Sequence, residues 1–149
     1  MALLFIDLDK FKPVNDTHGH AVGDLILQEA AQRMRLAVRD SDTIGRIGGD
    51  EFVGLLPDLY HEDDAVLVAR KLCDVLKEPF RIGEMQQALG VSIGIAFYPE
   101  HGEDERTLAK SADVAMYHAK QSDAGDICIF QTKCGDGTRL TVTPYKCSC

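Results

Sequence analysis

A short run of almost wholly apolar residues opens the chain, from Ala2 to Leu8, and only one acid, Asp7, interrupts it. A continuous apolar run of this length is too short for a core helix and is typical of a strand that is buried on both faces. Such a strand needs packed layers above and below it. The run therefore predicts a central strand in a sheet that helices cover.

The hydrophobic pattern downstream supplies those layers. Apolar residues at helical spacing run from Val22 to near Asp40, a second set ends before Pro79, and a third covers 108–119. Strand patterns follow at 44–47, 52–56, 89–97 and 127–130. The fold class predicted from this order is α/β (α+β), with a mixed central sheet flanked by helices.

We expect one domain over residues 1–130. Residues 131–149 are rich in Thr, Gly, Lys and Cys without a clear period, and they predict a poorly ordered C-terminal tail. Cys134, Cys147 and Cys149 lie in this tail, but no fourth ligand for a metal is evident beside them.

Charge and hydropathy exclude two classes of partner. The 24 acidic residues outnumber the 16 basic ones, which gives a formal net charge of −8. We expect no nucleic-acid partner, because phosphate backbones need a basic face. We also expect no membrane segment, because no run approaches about 20 apolar residues. The first residues lack the basic start of a signal peptide, so a cytoplasmic location is expected.

Acidic side chains end the first strand and occupy the turn of the predicted hairpin. Asp7 belongs to the strand, whereas Asp50 and Glu51 follow the pair Gly48 and Gly49. If the strand lies beside the hairpin, carboxylates about 4 Å apart repel by about 4 kcal/mol at an effective dielectric near 20. Mg²⁺, which prefers a few carboxylates together with substrate phosphates, would relieve this repulsion. The alternative is that the acids only end a strand and the glycines only form a turn.

Three further residues have both a binding and a structural interpretation. Lys12 suits a phosphate, although a single lysine is more often solvated. Asn15 and Asp24 suit the donor edge of guanine, because adenine would leave the acid unpaired at a cost of about 1–3 kcal/mol. By spacing alone, Asp24 is better explained as an acid near a helix N-terminus.

Four ordered blocks carry a family resemblance. They occupy residues 7–24 (from D-L-D-K-F-K to G-D), 46–52 (R-I-G-G-D-E-F), 91–99 and 112–120. Together they resemble the GGDEF family, the diguanylate cyclases, over roughly residues 2–130. Members have a sheet similar to that of class III nucleotide cyclases and polymerase palm domains. They condense two GTP into cyclic di-GMP and release pyrophosphate, with Mg²⁺ or Mn²⁺ as cofactor.

The resemblance also implies roles for individual residues. The catalytic residues are Asp50 and Glu51, and the metal ligands are Asp7, the backbone carbonyl of Leu8, Asp50 and Glu51. The GTP-binding residues are Phe11, Lys12, Asn15, Asp24, Gly48, Gly49 and Lys120. Arg39 and Asp42 match an inhibitory R-x-x-D site for the product; the alternative there is a surface ion pair worth at most about 1 kcal/mol.

The partners implied are GTP, cyclic di-GMP and a second copy of the domain, because each domain holds one GTP and two sites must face each other. An upstream sensory domain and a phosphodiesterase domain are expected in the full protein. Two departures from the family pattern stand out. The helix and D-x-L-T-G-L-x-N-R segment that normally precede the first strand are missing. Ala124 also replaces a phosphate-binding arginine, beside Asp123, which weakens GTP binding by about 1–3 kcal/mol. An alternative function is therefore a catalytically weak or inactive module that binds GTP or cyclic di-GMP.

Overall fold

The chain forms a mixed sheet with helices on both faces. The computed structural model describes residues 1–121, 126–132 and 140–145. The strands are β1 (Ala2–Asp9), β2 (Thr43–Gly48), β3 (Glu51–Leu56), β4 (Phe80–Ile82), β5 (Met85–Gln87), β6 (Gly90–Phe97), β7 (Ile127–Thr132) and β8 (Leu140–Tyr145). The helices are α1 (Phe11–His18), α2 (His20–Ala37), α3 (Glu62–Lys77) and α4 (Glu105–Gln121).

The main sheet has the strand order β2-β3-β1-β6-β7-β8, and β4 pairs with β5 in a separate hairpin. β6 and β7 are parallel and α4 connects them, whereas the other neighbouring strands are antiparallel. This arrangement confirms the predicted fold class. In the parts of the chain that the structure covers, no helix is both long and apolar enough to cross a bilayer.

β1 occupies the centre of the sheet and packs on both faces. Leu4, Ile6 and Leu8 are almost fully buried in a core shared with α1, α2 and α3. Leu3 and Phe5 are partly buried and pack against a second cluster that contains the apolar face of α4. Asp7 follows Phe5 on this second face, so a carboxylate lies where the alternation alone would place an apolar residue.

α4 lies directly on β6 because Gly94 has no side chain. A Cβ atom built at Gly94 would lie 2.1 Å from the Met116 nitrogen and 2.2 Å from the Ala112 oxygen, and both are backbone atoms. Only glycine permits so close an approach of a helix to a strand. The contact fixes the depth of α4 on the sheet, and Lys120 lies one turn beyond it.

Arg33 ties α2 to the segment after α3. Its side chain lies over the ring of Phe80, with Cζ 4.1 Å from the ring centroid. Its amino groups donate to four oxygen atoms, those of Val75, Glu78 and Pro79 in the backbone and Oε1 of Glu29. We call this set of contacts the Arg33 clamp.

Helix α1 is absent from the sequence prediction, which treated Pro13 as the end of a pattern. Pro13 is the third residue of α1. A proline is tolerated in the first helical turn, because the N–H group that it lacks has no partner within the helix at that position. Gly19, with φ of 88°, then separates α1 from α2. α2 therefore begins at His20, earlier than the predicted Val22.

The β4–β5 hairpin and β8 also differ from the prediction. The two hairpin strands are only three residues long, which is too short to give a periodic signal. β7 continues to Thr132, and β8 pairs antiparallel with it inside the segment expected to be a tail. The domain boundary at 130 and the poorly ordered tail over 131–149 stay predictions. Cys134, Cys147 and Cys149 lie outside the described residues.

Candidate functional site

The predicted pairing of the first strand with the glycine-tipped hairpin is confirmed. β1 and β3 are antiparallel neighbours, and Asp7 lies opposite Glu51. The Leu8 N–H donates to the backbone oxygen of Asp50 at 3.2 Å, which extends the ladder to the hairpin tip. Backbone hydrogen bonds therefore hold all three predicted acids at one edge of the sheet, which we call the acidic edge and define as Asp7, Asp50 and Glu51.

Asp7 carries a charge in an unfavourable position. Its residue is only 4% exposed, and its Oδ1 atom is buried without a hydrogen-bond partner. The pKa of Asp7 is raised to about 6: burial raises it most, the hydrogen bond from Lys120 lowers it, and the neighbouring charge of Asp50 raises it. A buried carboxylate with an unpartnered oxygen and a like-charged neighbour is stabilised by a cation.

Lys120 supplies one such cation. Its Nζ atom lies 2.8 Å from Oδ2 of Asp7 and donates a hydrogen bond to it. This hydrogen bond raises the pKa of Lys120. The side chain of Lys120 is 44% exposed, whereas that of Asp7 is 5% exposed. The lysine therefore reaches from solvent into the site and is near enough to contact a ligand there.

Asp9 and Ser92 lie next to this pair. The Ser92 hydroxyl, which is buried on β6, donates to the Asp9 carboxylate at 2.9 Å from Oδ1 and 3.0 Å from Oδ2. Burial raises the pKa of Asp9, and the bond from Ser92 lowers it. The sequence analysis assigned neither residue a role in the site, although both belong to matched blocks.

The donor set of the acidic edge suits a hard divalent cation only in part. Carboxylate and carbonyl oxygens are the ligands of Mg²⁺, and the unpartnered Oδ1 of Asp7 offers one. Among the described residues, however, no three His, Cys, Asp or Glu side chains are grouped closely enough to enclose a metal. This fits a Mg²⁺ or Mn²⁺ ion that takes one or two protein carboxylates and completes its shell with waters and substrate phosphates.

The turn before Asp50 requires its glycines. Gly48 has φ of 152° and Gly49 has φ of 50°, conformations that L residues with a side chain rarely adopt. A Cβ at either position would meet nothing within 4 Å, so the surface beside the turn is open. Nε of Arg46 donates to the Gly49 oxygen at 2.8 Å and ties this turn to β2. A ligand can therefore approach the backbone next to Asp50.

A cleft of about 390 Å³ lies between α2 and the β2–β3 hairpin. Asp24 lines its α2 side, together with Gln28 and Arg35, and Arg46 and Phe52 line its hairpin side. The structure thus brings the exposed Asp24 into the same cleft as the base of the glycine turn.

The remaining GTP-binding candidates lie on α1. The Asn15 Oδ1 atom is buried without a hydrogen-bond partner, and a Cβ at Gly23 would lie 1.7 Å from it. Asn15 therefore packs on α2 beside Asp24. Lys12 is exposed, whereas the Phe11 side chain is 5% exposed and belongs to the core. The side chain of Phe11 is therefore not available for a ligand.

The two residues of the predicted product site meet in a separate groove of about 360 Å³ between the end of α2 and α3. The Arg39 N–H donates to Oδ2 of Asp42 at 3.1 Å, and the Asp42 N–H donates to the Arg39 oxygen at 3.0 Å. Asp64 and Lys71 of α3 line the same groove. Ala124 and Asp123, the residues of the second departure, lie outside the described part of the chain.

Comparison with known proteins agrees with this geometry. Residues 1–126 match the family model described as "Diguanylate cyclase, GGDEF domain". The bifunctional diguanylate cyclase/cyclic di-GMP phosphodiesterase MucR of Pseudomonas aeruginosa is 47% identical over 88% of this chain and 19% of its own length. The cyclic di-GMP phosphodiesterase PdeR of Escherichia coli is 35% identical over 87% of this chain and 20% of its own length.

A solved structure is also similar. The crystal structure of the GGDEF domain of TpbB (YfiN) from P. aeruginosa superimposes with a TM-score of 0.84 and 40% identity, over 89% of this chain and 83% of that one. The chain spans about a fifth of the length of MucR and PdeR, so the comparison concerns one domain of longer proteins. The chain belongs to the GGDEF diguanylate cyclase domain family.

Proposed function

We propose that this chain is a diguanylate cyclase domain that condenses two GTP molecules into cyclic di-GMP and releases two pyrophosphates. The observation that carries the proposal is the pairing of β1 with β3, which holds Asp7, Asp50 and Glu51 at one edge beside an open glycine turn. Family membership supports the same reaction class.

In each half-reaction, the 3′-oxygen of one GTP forms a bond to the α-phosphorus of the other, and the bond from that phosphorus to the pyrophosphate oxygen breaks. A bound Mg²⁺ or Mn²⁺ ion would supply positive charge for the phosphate oxygens and for the leaving group. Asp7, Glu51 and the carbonyl of Leu8 would hold that ion. Asp50 would serve either as a further ligand or as the base that accepts the proton of the attacking hydroxyl.

The nucleotide would lie along the cleft that ends at the glycine turn. Asp24 and Asn15 would bind the guanine, and Gly48 and Gly49 leave room for the α-phosphate and ribose. Lys12, the backbone of Phe11 and Lys120 would bind the β- and γ-phosphates. Lys120 would exchange its bond to Asp7 for the triphosphate. Since each domain holds one nucleotide, a homodimer would bring the two sites together.

The direct test fuses the chain to a dimerising coiled coil and incubates it with GTP and Mg²⁺, with cyclic di-GMP measured by chromatography. We expect turnover in the wild type and a loss of at least about 10²- to 10³-fold in Asp50→Ala. Asp58→Ala, at an exposed acid after β3, is the matched control and keeps the wild-type rate. A folded, dimeric sample that yields no product would contradict the proposal.

We also propose that the groove with Arg39 and Asp42 binds the product and inhibits turnover. An arginine fork pairs with guanine or phosphate, and the Asp42 carboxylate suits guanine donors. Arg39→Ala should relieve inhibition by added cyclic di-GMP without slowing the initial rate. Arg81→Ala, at an exposed residue of β4, should leave inhibition unchanged.

A second candidate function is a module that binds GTP or cyclic di-GMP without turnover. The likeness to PdeR favours it, because that relative is named a phosphodiesterase. Calorimetry separates the two functions. Cyclic di-GMP binding that Arg39→Ala abolishes, in a dimer that does not turn over GTP, supports the module.

A further inference from the structure

Arg46 contacts the glycine turn but has no role in the function proposed above. Its Nε–H donates to the Gly49 oxygen at 2.8 Å, and the ladder between β2 and β3 has an irregularity between Arg46 and Gly48. Two successive glycines make this turn intrinsically permissive. A side-chain bond to the second glycine therefore restricts a segment that the backbone alone would leave loose.

The position of Asp50 depends on this turn. Asp50 follows Gly49 directly, and its backbone oxygen accepts the Leu8 N–H at a rather long 3.2 Å. Its carboxylate is close enough to Asp7 to raise the pKa of that group. A displacement of the turn would therefore move a reacting group at the acidic edge, and misplacement by about 1 Å costs about 10²-fold in rate.

The same arginine lines the nucleotide cleft. Arg46 stands on the hairpin side, and Asp24 and Arg35 stand on the α2 side. The bond to Gly49 uses one of the five N–H donors of a guanidinium group, which is planar and rigid. One side chain thus contacts both the wall of the cleft and the turn that carries Asp50.

We propose that Arg46 is a positioning residue, which holds the Gly48–Gly49 turn so that Asp50 faces Asp7 when the cleft is filled. The inference rests on the proposed function for its effect on turnover. Its effect on the turn itself does not depend on that function, because the bond to Gly49 exists without a nucleotide.

Arg46→Met tests the proposal, because methionine keeps most of the apolar stem and removes every donor. Arg35→Met is the matched control, since it removes an exposed arginine from the opposite wall of the same cleft. Backbone amide exchange by NMR is measured in the nucleotide-free protein. We expect the amide of Leu8, whose N–H donates to the Asp50 oxygen, to exchange about five- to tenfold faster in Arg46→Met, the factor for one ordinary hydrogen bond. Arg35→Met should match the wild type there.

Steady-state kinetics of the dimeric fusion provide the second measurement. Arg46→Met should lower kcat by about 10- to 100-fold and change KM for GTP less than kcat. Arg35→Met should act on KM alone. Unchanged exchange of the Leu8 amide in Arg46→Met, or a fall in kcat/KM that comes wholly from a higher KM, would overturn the inference. Absence of turnover in the wild type contradicts the proposed function instead, and the exchange experiment still decides the role of Arg46.

Discussion

Asp7 of the acidic edge and Arg33 of the clamp both carry charge away from water, but only Arg33 has a full set of hydrogen-bond partners. Arg33 has four oxygen acceptors and an aromatic ring, and its side chain is 17% exposed. Asp7 is more deeply buried, yet one of its oxygens has no partner and a second carboxylate lies close by. The clamp joins α2 to the segment after α3, whereas Asp7 has one side-chain bond, to Lys120 of α4, and its second oxygen stays without a partner.

The difference indicates what each region contributes. Buried polar groups with full sets of hydrogen bonds stabilise a fold, and a buried charge that lacks them destabilises it. Uncompensated charges and shifted pKa values concentrate at functional sites. The acidic edge is therefore expected to lower the stability of the fold and to support function. The Arg33 clamp is expected to stabilise the fold and to have no part in function.

The largest effect that would separate the two regions is on turnover. Asp7→Asn should lower the rate of cyclic di-GMP formation by about 10³-fold, since it removes a charge from the proposed metal ligands. The same change should raise the free energy of unfolding at pH 7 by about 1–2 kcal/mol, because the amide relieves a charge whose pKa burial has raised to about 6. Urea denaturation in the presence of EDTA measures the second quantity.

A less stable Asp7→Asn variant would break the comparison, because it would mean that the bond from Lys120 outweighs burial. Asp58→Asn, which neutralises the exposed acid after β3, is the control and should alter neither quantity measurably.

The next largest effect is expected at the Arg33 clamp, where a substitution should lower the free energy of unfolding instead of raising it. Arg33→Met leaves three backbone carbonyls without this donor and removes the cation from the ring of Phe80. We expect the free energy of unfolding to fall by about 3 kcal/mol, with no change in turnover per folded molecule. Arg35→Met lies on the same helix, is exposed and should stay within about 0.5 kcal/mol of the wild type.

The pH dependence of the free energy of unfolding tests whether the Asp7 charge destabilises the acidic edge. The pKa of Asp7 lies at about 6 in the folded chain and at 3.8 in the reference state. The ionised carboxylate therefore destabilises the fold above about pH 6, and protonation relieves this as the pH falls toward 3.8. The stability advantage of Asp7→Asn should be largest at pH 7 and shrink by about 1–2 kcal/mol toward pH 4. A difference between the two proteins that does not vary with pH would contradict the assignment.

The smallest effect concerns Ser92. Ser92→Ala removes the hydroxyl that donates to Asp9 and should lower the free energy of unfolding by about 1 kcal/mol. It should also raise the pKa of Asp9, because the bond from Ser92 lowers it in the wild type. NMR titration of the Asp9 carboxyl carbon measures the shift, and an unchanged pKa would show that burial alone sets it.

The central strand and the hairpin could be predicted because their residues form strong hydrophobic and turn patterns. An apolar run around Asp7 predicts a central strand, and two strands around Gly48 and Gly49 predict a hairpin. Their pairing then follows from the resemblance. Helix α1 was not predicted because Pro13 lies in its first turn, where proline is tolerated. Strands β4 and β5 were not predicted because three residues give too weak a pattern.

Long-range side-chain contacts could not be predicted in the same way. Lys120 was assigned to phosphate, and its bond to Asp7 spans 113 positions and depends on the placement of α4. The Arg33 clamp is equally non-local. Its contacts could not be predicted, since an arginine on a helix face is ordinarily solvated. Such contacts arise from tertiary geometry, and periodicity carries no information about them.

The contact at Gly94 has a consequence for how variants of this domain will be interpreted. A methyl group there has no room against the backbone of α4, so the whole helix must lift away from the sheet. Lys120 would move outward with the helix and lose its hydrogen bond to Asp7. A Gly94→Ala allele would then behave in a phenotypic screen like a substitution in the proposed active site, although the added methyl group lies beneath α4.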